Sequence, residues 1–169
     1  MEAYLLDTSI ASPAWYEGHK RHKDVRERLE SLGDDAVFVS AVSIAEVQYG
    51  LRLVALDAQK HQSIRSALER YKVIPVDHHT AQTYAETRAT LFKAYAPRDR
   101  RNRISSAYIE DLRERTSGKE LGIQENDLWI VSVAVQYNLV FVTADQGGGM
   151  RKIVDAANYA HRTEYWYWD

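Results

Sequence analysis

Short, continuously apolar runs along the chain predict the strands of a sheet. None alternates apolar and polar residues in the way that is typical of a strand with one exposed face, so we expect both faces of these strands to be covered. The runs are Ala3–Leu6, Ala36–Ser40, Val73–Val76 and Leu139–Thr143. A late aromatic run, Tyr165-Trp166-Tyr167-Trp168, favours a fifth strand.

Between these runs, apolar residues recur at the three- and four-residue spacing of a helix. Gly33 and Asn138 each suit the left-handed position that follows a helix end. The predicted helices are His22–Leu32, Ser43–Leu56, Ala58–Tyr71, Asp77–Tyr95 and Ile123–Tyr137. Because strands that alternate with helices imply right-handed crossovers, the pattern predicts an α/β fold. We expect a three-layer α/β/α sandwich with a central parallel sheet of four to five strands.

Length and composition narrow the class of protein. The 169 residues are enough for one domain. Cysteine is absent, which excludes disulfides, thiolate metal sites, iron–sulfur clusters and a cysteine nucleophile. No window approaches about 18 uncharged apolar residues, and the first apolar run is too short for a signal peptide. We therefore expect a cytoplasmic protein with no membrane partner.

One basic segment interrupts the alternation of strands and helices. The formal net charge of the chain is −2, so a nucleic-acid partner would need a local basic patch. Residues 93–119 supply one, with eight Lys or Arg and four Asp or Glu. We interpret residues 96–120 as a basic insertion in the domain, either an RNA-binding arm or a solvated loop. Its candidate RNA-binding residues are Arg98, Arg100, Arg101 and Arg103.

Two acidic residues follow predicted strands. Asp7 comes directly after the first strand, and Asp145 lies two residues beyond the strand that ends at Thr143. Ligands of open parallel sheets bind beyond the carboxyl ends of the strands. We therefore expect both carboxylates at this edge. The alternatives are that Asp7 caps a following helix and that Asp145 is a turn residue before the glycines at 147–149.

Two further acidic residues, Glu46 and Asp127, lie on mostly apolar helix faces. A buried carboxylate is costly unless a positive charge or hydrogen bonds compensate it. No Lys or Arg lies within helical reach of either residue, and a metal ion would supply the compensation. For Asp127, an ordinary helix cap or an acidic residue in the first helical turn is the alternative.

Together, the four carboxylates form an oxygen-rich set that suits a hard divalent cation such as Mg²⁺ or Mn²⁺. Such a site activates water and neutralises a phosphate during in-line displacement. The sequence lacks the motifs of dinucleotide-binding and P-loop proteins, since neither GxGxxG nor GxxxxGK[ST] occurs. Ser9 stands where a phosphatase of the haloacid-dehalogenase type needs a second Asp, and no strand-end Lys supports a response-regulator receiver.

Four short motifs in this order carry a family resemblance. They are Tyr4-Leu5-Leu6-Asp7-Thr8-Ser9, Ser43-Ile44-Ala45-Glu46-Val47, Asn126-Asp127-Leu128-Trp129-Ile130 and Val142-Thr143-Ala144-Asp145. With them, the sequence resembles the PIN-domain family and, within it, the VapC-type toxins of toxin–antitoxin pairs. The resemblance covers nearly the whole chain apart from the basic insertion and the aromatic run.

The resemblance implies a metal-dependent endoribonuclease with one or two Mg²⁺ or Mn²⁺ ions. Asp7, Glu46, Asp127 and Asp145 would be its catalytic, metal-binding acids, and Thr8, Ser9 and Thr143 would help to shape the site. It also implies an RNA substrate, a cognate protein antitoxin and a homodimer. The competing hypothesis is a catalytically inactive PIN-like domain that only binds RNA or protein.

Overall fold

Five parallel strands form the central sheet of the computed structural model, which describes residues 2–33, 35–54, 58–106 and 108–168. The strands are β1 (Ala3–Leu6), β2 (Ala36–Ser40), β3 (Lys72–Ile74), β4 (Val140–Thr143) and β5 (Thr163–Tyr165). Their order across the sheet is β3-β2-β1-β4-β5. The prediction of a parallel central sheet is therefore confirmed, and β1 and β4, the two strands with an acidic residue after them, are neighbours.

The strand limits differ from prediction where local chemistry overrides the apolar pattern. β3 begins at Lys72 and ends before Pro75, which has no N–H to donate to a neighbouring strand. β5 lies earlier than the aromatic run and shares only Tyr165 with it. Tyr165 is aligned with Thr143, the last residue of β4. The residues after Tyr165 therefore have no strand beside them with which to pair regularly.

Seven α-helices occur in the described ranges. They are α1 (Thr8–Trp15), α2 (His22–Glu30), α3 (Ala41–Leu53), α4 (Ala58–Leu68), α5 (His78–Tyr95), α6 (Glu125–Gln136) and α7 (Gly148–Ala156). Five of them correspond to predicted helices, although the predicted end at Leu56 lies outside the described residues. Asp77 caps α5 by accepting hydrogen bonds from the backbone N–H groups of His79 and Thr80. None of the described helices is long and apolar enough to cross a membrane.

Two helices, α1 and α7, were not predicted. Every residue of α1 is buried or partly buried and the helix contains Pro13, so it lacks the charged outer face and the composition of an ordinary helix. α7 starts within the glycine triplet, a composition typical of a loop. In both cases burial against the rest of the protein outweighs weak local propensity.

Each face of the sheet is covered by its own apolar core. Leu5 and Phe141 belong to the core shared with α5, α6 and α7. Leu6 and Val142 belong to the core shared with α1, α2 and α4. Because successive side chains of a strand point to opposite faces, continuously apolar strands are what two cores require. The predicted three-layer architecture is thus confirmed.

The second half of the basic insertion is packed into the first of these cores. Ile109 and Leu112 have no exposed surface, and Leu121 and Ile123 are buried beside them. Isolated antiparallel bridges, Arg98 with Ile104 and Arg113 with Glu120, fold the segment back on itself. The interpretation of the insertion as a wholly solvated loop is therefore wrong for this part of it.

Gly149 is required where α7 meets the end of the insertion. A Cβ atom on Gly149 would lie 2.1 Å from the backbone oxygen of Gly122, whereas one on Gly148 would meet nothing within 4 Å. We expect Gly149→Ala to lower the free energy of unfolding by about 3 kcal/mol, because backbone must shift to admit the methyl group. Gly148→Ala is the matched control and should change it by under about 1 kcal/mol. Urea denaturation checks the pair, and equal stabilities would contradict this packing.

Candidate functional site

The candidate site lies at the carboxyl edge of β1 and β4. Leu6 is aligned with Val142, and the backbone N–H of Asp7 donates to the oxygen of Val142 at 2.8 Å. Asp7 and Asp145 therefore follow adjacent strand ends. Glu46 is brought to the edge by α3, which starts directly after β2, and Asp127 is the third residue of α6. Four separate segments thus deliver one carboxylate each.

Asp7 is the most deeply buried of these acids, with 3% of its surface exposed. Its Oδ2 atom accepts hydrogen bonds from Ser9 Oγ at 2.6 Å and from Thr143 Oγ1 at 2.8 Å. Burial raises the pKa of Asp7, and the two hydroxyl donors oppose that rise. Asp7 is also the N-cap residue of α1, as its alternative role requires, and the backbone N–H groups of Thr8 and Ser9 further oppose the rise in its pKa.

The same two hydroxyls hold the turn after β4. Ser9 Oγ accepts from the backbone N–H of Ala144 at 2.9 Å, and Thr143 Oγ1 accepts from that of Asp145 at 3.0 Å. Asp145 also accepts from the N–H of Gly147 at 2.6 Å, which is the turn role considered as its alternative. Asp145 is therefore a turn residue and a member of the acidic edge at once.

The Glu46 carboxylate accepts hydrogen bonds from two other helices. Its Oε2 accepts from Thr8 Oγ1, and its Oε1 accepts from Asn126 Nδ2 at 2.8 Å. These contacts join α1, α3 and α6 around one carboxylate. Thr8 is one of the predicted site residues, whereas Asn126 is not, although it stands directly before Asp127 in one of the four motifs.

The pKa of Asp127 reflects its burial and the negative charge of the site. Its pKa is raised from 3.8 to about 7, first by burial and then by the negative charges of Asp7, Asp145 and Glu46. All the charged groups that shift this pKa are thus carboxylates. The four acids lie within electrostatic range of one another, and the site favours the uptake of positive charge.

A hard divalent cation fits this donor set by its chemistry. The groups offered are carboxylate oxygens, and the negative charges of Asp7, Asp145 and Glu46 add to burial in raising the pKa of Asp127. Within the described ranges, no three acidic or imidazole side chains are arranged so that they hold a metal ion as they stand. Mg²⁺ commonly keeps several waters and takes only one or two carboxylates, so a closed cage of protein ligands is not required.

An ion pair beside the site fixes α6 against α5. Arg88 Nη1 lies 2.7 Å from Glu125 Oε1, and the Tyr84 hydroxyl donates to the same carboxylate. The Tyr84 ring stacks on Trp129, with ring centroids 3.8 Å apart. Glu125 and Trp129 flank Asp127 on α6, so these contacts set where that helix presents its carboxylate.

Thr143→Val tests the hydroxyl that joins the two strand ends. We expect the affinity for Mn²⁺ to fall about tenfold, because hydrogen bonds that orient metal-binding groups typically contribute 10- to 100-fold. Thr143→Ser keeps the hydroxyl and should retain most of this affinity. A Mn²⁺ titration of each variant, followed through its Tm, checks the pair. A loss in Thr143→Ser together with a wild-type value in Thr143→Val would show that packing of the methyl group, rather than the hydroxyl, matters.

Comparisons with known proteins point to one family. A family model described as the PIN domain matches residues 4–154. No curated protein matches the sequence. Among solved structures, the chain is similar to FitAcB from Neisseria gonorrhoeae, with 26% identity over 93% of this chain and 94% of that chain and a TM-score of 0.58.

Two further solved structures show the same fold. VapBC-1 from nontypeable Haemophilus influenzae is 23% identical over 97% of this chain and 98% of that chain, with a TM-score of 0.65. VapBC-5 from Mycobacterium tuberculosis, a member of the VapBC family of toxin-antitoxin systems, is 23% identical over 98% of each chain, with a TM-score of 0.53.

Proposed function

Because this chain belongs to the PIN domain family, we propose that it is the VapC-type toxin of a toxin–antitoxin pair and acts as a metal-dependent endoribonuclease. One observation carries the proposal. Four carboxylates from four segments lie within electrostatic range of one another near the carboxyl edge of β1 and β4, and burial together with the negative charges of the other three raises the pKa of Asp127. A surplus of buried negative charge is costly to a fold unless the site has a cationic ligand.

Asp7, Glu46, Asp127 and Asp145 would hold one or two Mg²⁺ or Mn²⁺ ions. A bound divalent ion supplies water activation and charge neutralisation at a phosphate. Ser9 and Thr143 hold the Asp7 carboxylate in place, and Thr8 and Asn126 do the same for Glu46. This fixed arrangement reduces the reorganisation needed when a substrate phosphate arrives.

The proton on Asp127 couples cation binding to pH. With a pKa of about 7, Asp127 is partly protonated at neutral pH, and it must release that proton to act as an anionic ligand. Cation affinity should therefore weaken as the pH falls below about 7. A cytoplasmic site of action, at near-neutral pH, belongs to the same proposal.

Cleavage of total cellular RNA by the purified protein tests the proposed activity. With Mg²⁺ or Mn²⁺ we expect discrete fragments, and with EDTA none. The competing hypothesis, an inactive PIN-like binding domain, predicts intact RNA in every lane. Metal-dependent fragments would exclude that hypothesis, while intact RNA together with demonstrated RNA binding would support it.

Growth arrest tests the role as a toxin. Expressed alone in a bacterial host, the protein should halt growth, while Asp7→Asn expressed at the same level should not. A protein antitoxin is proposed because the similar VapBC structure from M. tuberculosis comes from a toxin-antitoxin system. Genomic fragments from the source organism that restore growth would identify this antitoxin. Arrest by both variants would contradict the proposal.

A groove between α1, α2 and α4 is the surface that we propose for the antitoxin. Its volume is about 1070 Å³, and its lining includes Trp15, Leu29, Ile64 and Tyr71. Ala67→Arg, which fills the groove, should escape rescue by the antitoxin and keep its toxicity.

The homodimer implied by the resemblance stays a prediction. Light scattering of the purified protein checks it directly. A dimer has twice the 19.4 kDa mass of the chain.

A further inference from the structure

A tight basic turn, Arg98–Arg103, projects from the insertion, and we name it the arginine turn. The N–H of Asp99 donates to the oxygen of Arg103 at 2.8 Å, and the N–H of Asn102 donates to the oxygen of Asp99 at 2.9 Å. Asn102 has a φ of +60°, in the left-handed region that asparagine tolerates. The turn therefore has a defined backbone conformation.

Asp99, the one acidic residue of the turn, is used to build it. Its carboxylate accepts from the N–H of Arg101 at 2.8 Å and from the N–H and Nε of Arg103 at 2.9 and 2.8 Å. The backbone hydrogen bond from Arg103 is the largest cause of the lowered pKa of Asp99. Arg100 and Arg101 are exposed and form no ion pair within the described ranges. Their guanidinium groups are therefore available to bind an external anion.

The turn stands at the same end of the molecule as the four carboxylates. α5 and α6 run in opposite directions, because Tyr137 after α6 donates to Asp77 before α5, while Arg88 pairs with Glu125 at the start of α6. Tyr95, the last residue of α5, is seven residues past Arg88, or about 10 Å along the helix axis. The arginine turn thus emerges beyond the α6 terminus that carries Asp127.

The insertion is fastened to this end by several contacts. The N–H of Glu125 donates to Glu110 Oε1 at 3.3 Å, and Arg115 Nη2 donates to the oxygen of Lys93 at 3.3 Å. With Ile109 and Leu112 fully buried, the turn is carried on a packed base. A preorganised turn loses less conformational entropy on binding than a mobile arm.

We infer that the arginine turn binds the phosphate backbone of the RNA strand beside the scissile bond, through the guanidinium groups of Arg100 and Arg101. This inference rests on the proposed ribonuclease function. Guanidinium groups engage phosphates through paired hydrogen bonds. The carboxylate cluster repels a polyanion, and a basic surface next to it offsets that repulsion. Tyr108, 68% exposed in the same insertion, offers a ring on which a base can stack.

Salt-dependent RNA binding tests the inference. The double variant Arg100→Gln/Arg101→Gln is compared with Arg52→Gln/Arg65→Gln, which removes two exposed charges from α3 and α4. Both are made in an Asp7→Asn background so that a short fluorescein-labelled single-stranded RNA stays intact. Anisotropy at rising KCl gives each Kd. We expect the turn variant to bind on the order of tenfold more weakly at low salt and to lose about 1.4 from the slope of log K against log salt.

The possible outcomes are distinct. An unchanged salt slope in the turn variant, or an equal loss of RNA affinity in the control variant, would overturn the inference. Metal-dependent cleavage by the wild type would then still support the proposed function. Failure of the wild type to cleave or bind RNA would overturn both. A turn variant that bound RNA normally but lost affinity for the antitoxin would assign the arginine turn to the protein partner and overturn the RNA assignment.

Discussion

Asp7→Asn is expected to reduce RNA cleavage on the order of a thousandfold, which corresponds to about 4 kcal/mol of transition-state stabilisation. Asn preserves the shape of the side chain, and its oxygen can still accept from Ser9 and Thr143. What it loses is the negative charge at the most buried position of the site. The variant should therefore fold normally and fail as a ligand for a divalent cation.

Asp155→Asn is the matched control for this prediction. Asp155 allows the same Asp-to-Asn change at an exposed position near the end of α7. Its cleavage rate should equal that of the wild type. Initial rates of fragment formation in excess Mg²⁺, with circular dichroism to verify folding, provide the measurement. Wild-type cleavage by a folded Asp7→Asn protein would remove Asp7 from the site.

Asp127→Asn is expected to stabilise the metal-free protein at neutral and alkaline pH. The pKa of Asp127 is about 7 in the folded protein, against 3.8 as its ordinary value. Between these values the folded state retains a proton that the unfolded state has lost, so the stability of the wild type falls as the pH rises from about 4 to about 7. Asn carries no such proton. We expect the gain above pH 7 to approach about 4 kcal/mol, or about 10 °C in Tm.

Thermal unfolding in EDTA near pH 5 and near pH 8 checks this prediction. The Tm difference between Asp127→Asn and the wild type should be large at the higher pH and shrink at the lower one. Asp155→Asn should show no comparable gain at either pH. Identical pH dependence of stability in Asp127→Asn and the wild type would show that the pKa of Asp127 is not raised in the folded protein.

The parts of the site that the sequence predicts are those set by strand ends and helix faces. Asp7 and Asp145 follow strands, so a parallel sheet is enough to bring them together. Glu46 and Asp127 stand out because local periodicity turns a carboxylate toward an apolar face. Neither inference needs knowledge of tertiary contacts.

The parts that the sequence does not predict depend on contacts between distant segments. The resemblance implies a place in the site for Thr143, but not its hydrogen bond to Asp7, which lies 136 positions away. Asn126, which donates to Glu46 across 80 positions, was not among the predicted site residues. Gly149 looks like part of a loop until the backbone of Gly122 is known to lie against it. Ile109 and Leu112 show no helical or strand period, so their burial could not be separated from a solvated basic loop.

The most direct test of the proposed metal site is whether Mn²⁺ binds at the carboxylate cluster. Binding is measured as the change in Tm during a Mn²⁺ titration near pH 7.5, for the wild type, Asp7→Asn and Asp155→Asn. A ligand at about 100 times its Kd stabilises a fold by about 2.7 kcal/mol. The account predicts a saturable rise in Tm for the wild type and Asp155→Asn that is lost in Asp7→Asn. No rise in the wild type, or the same rise in Asp7→Asn, would contradict it.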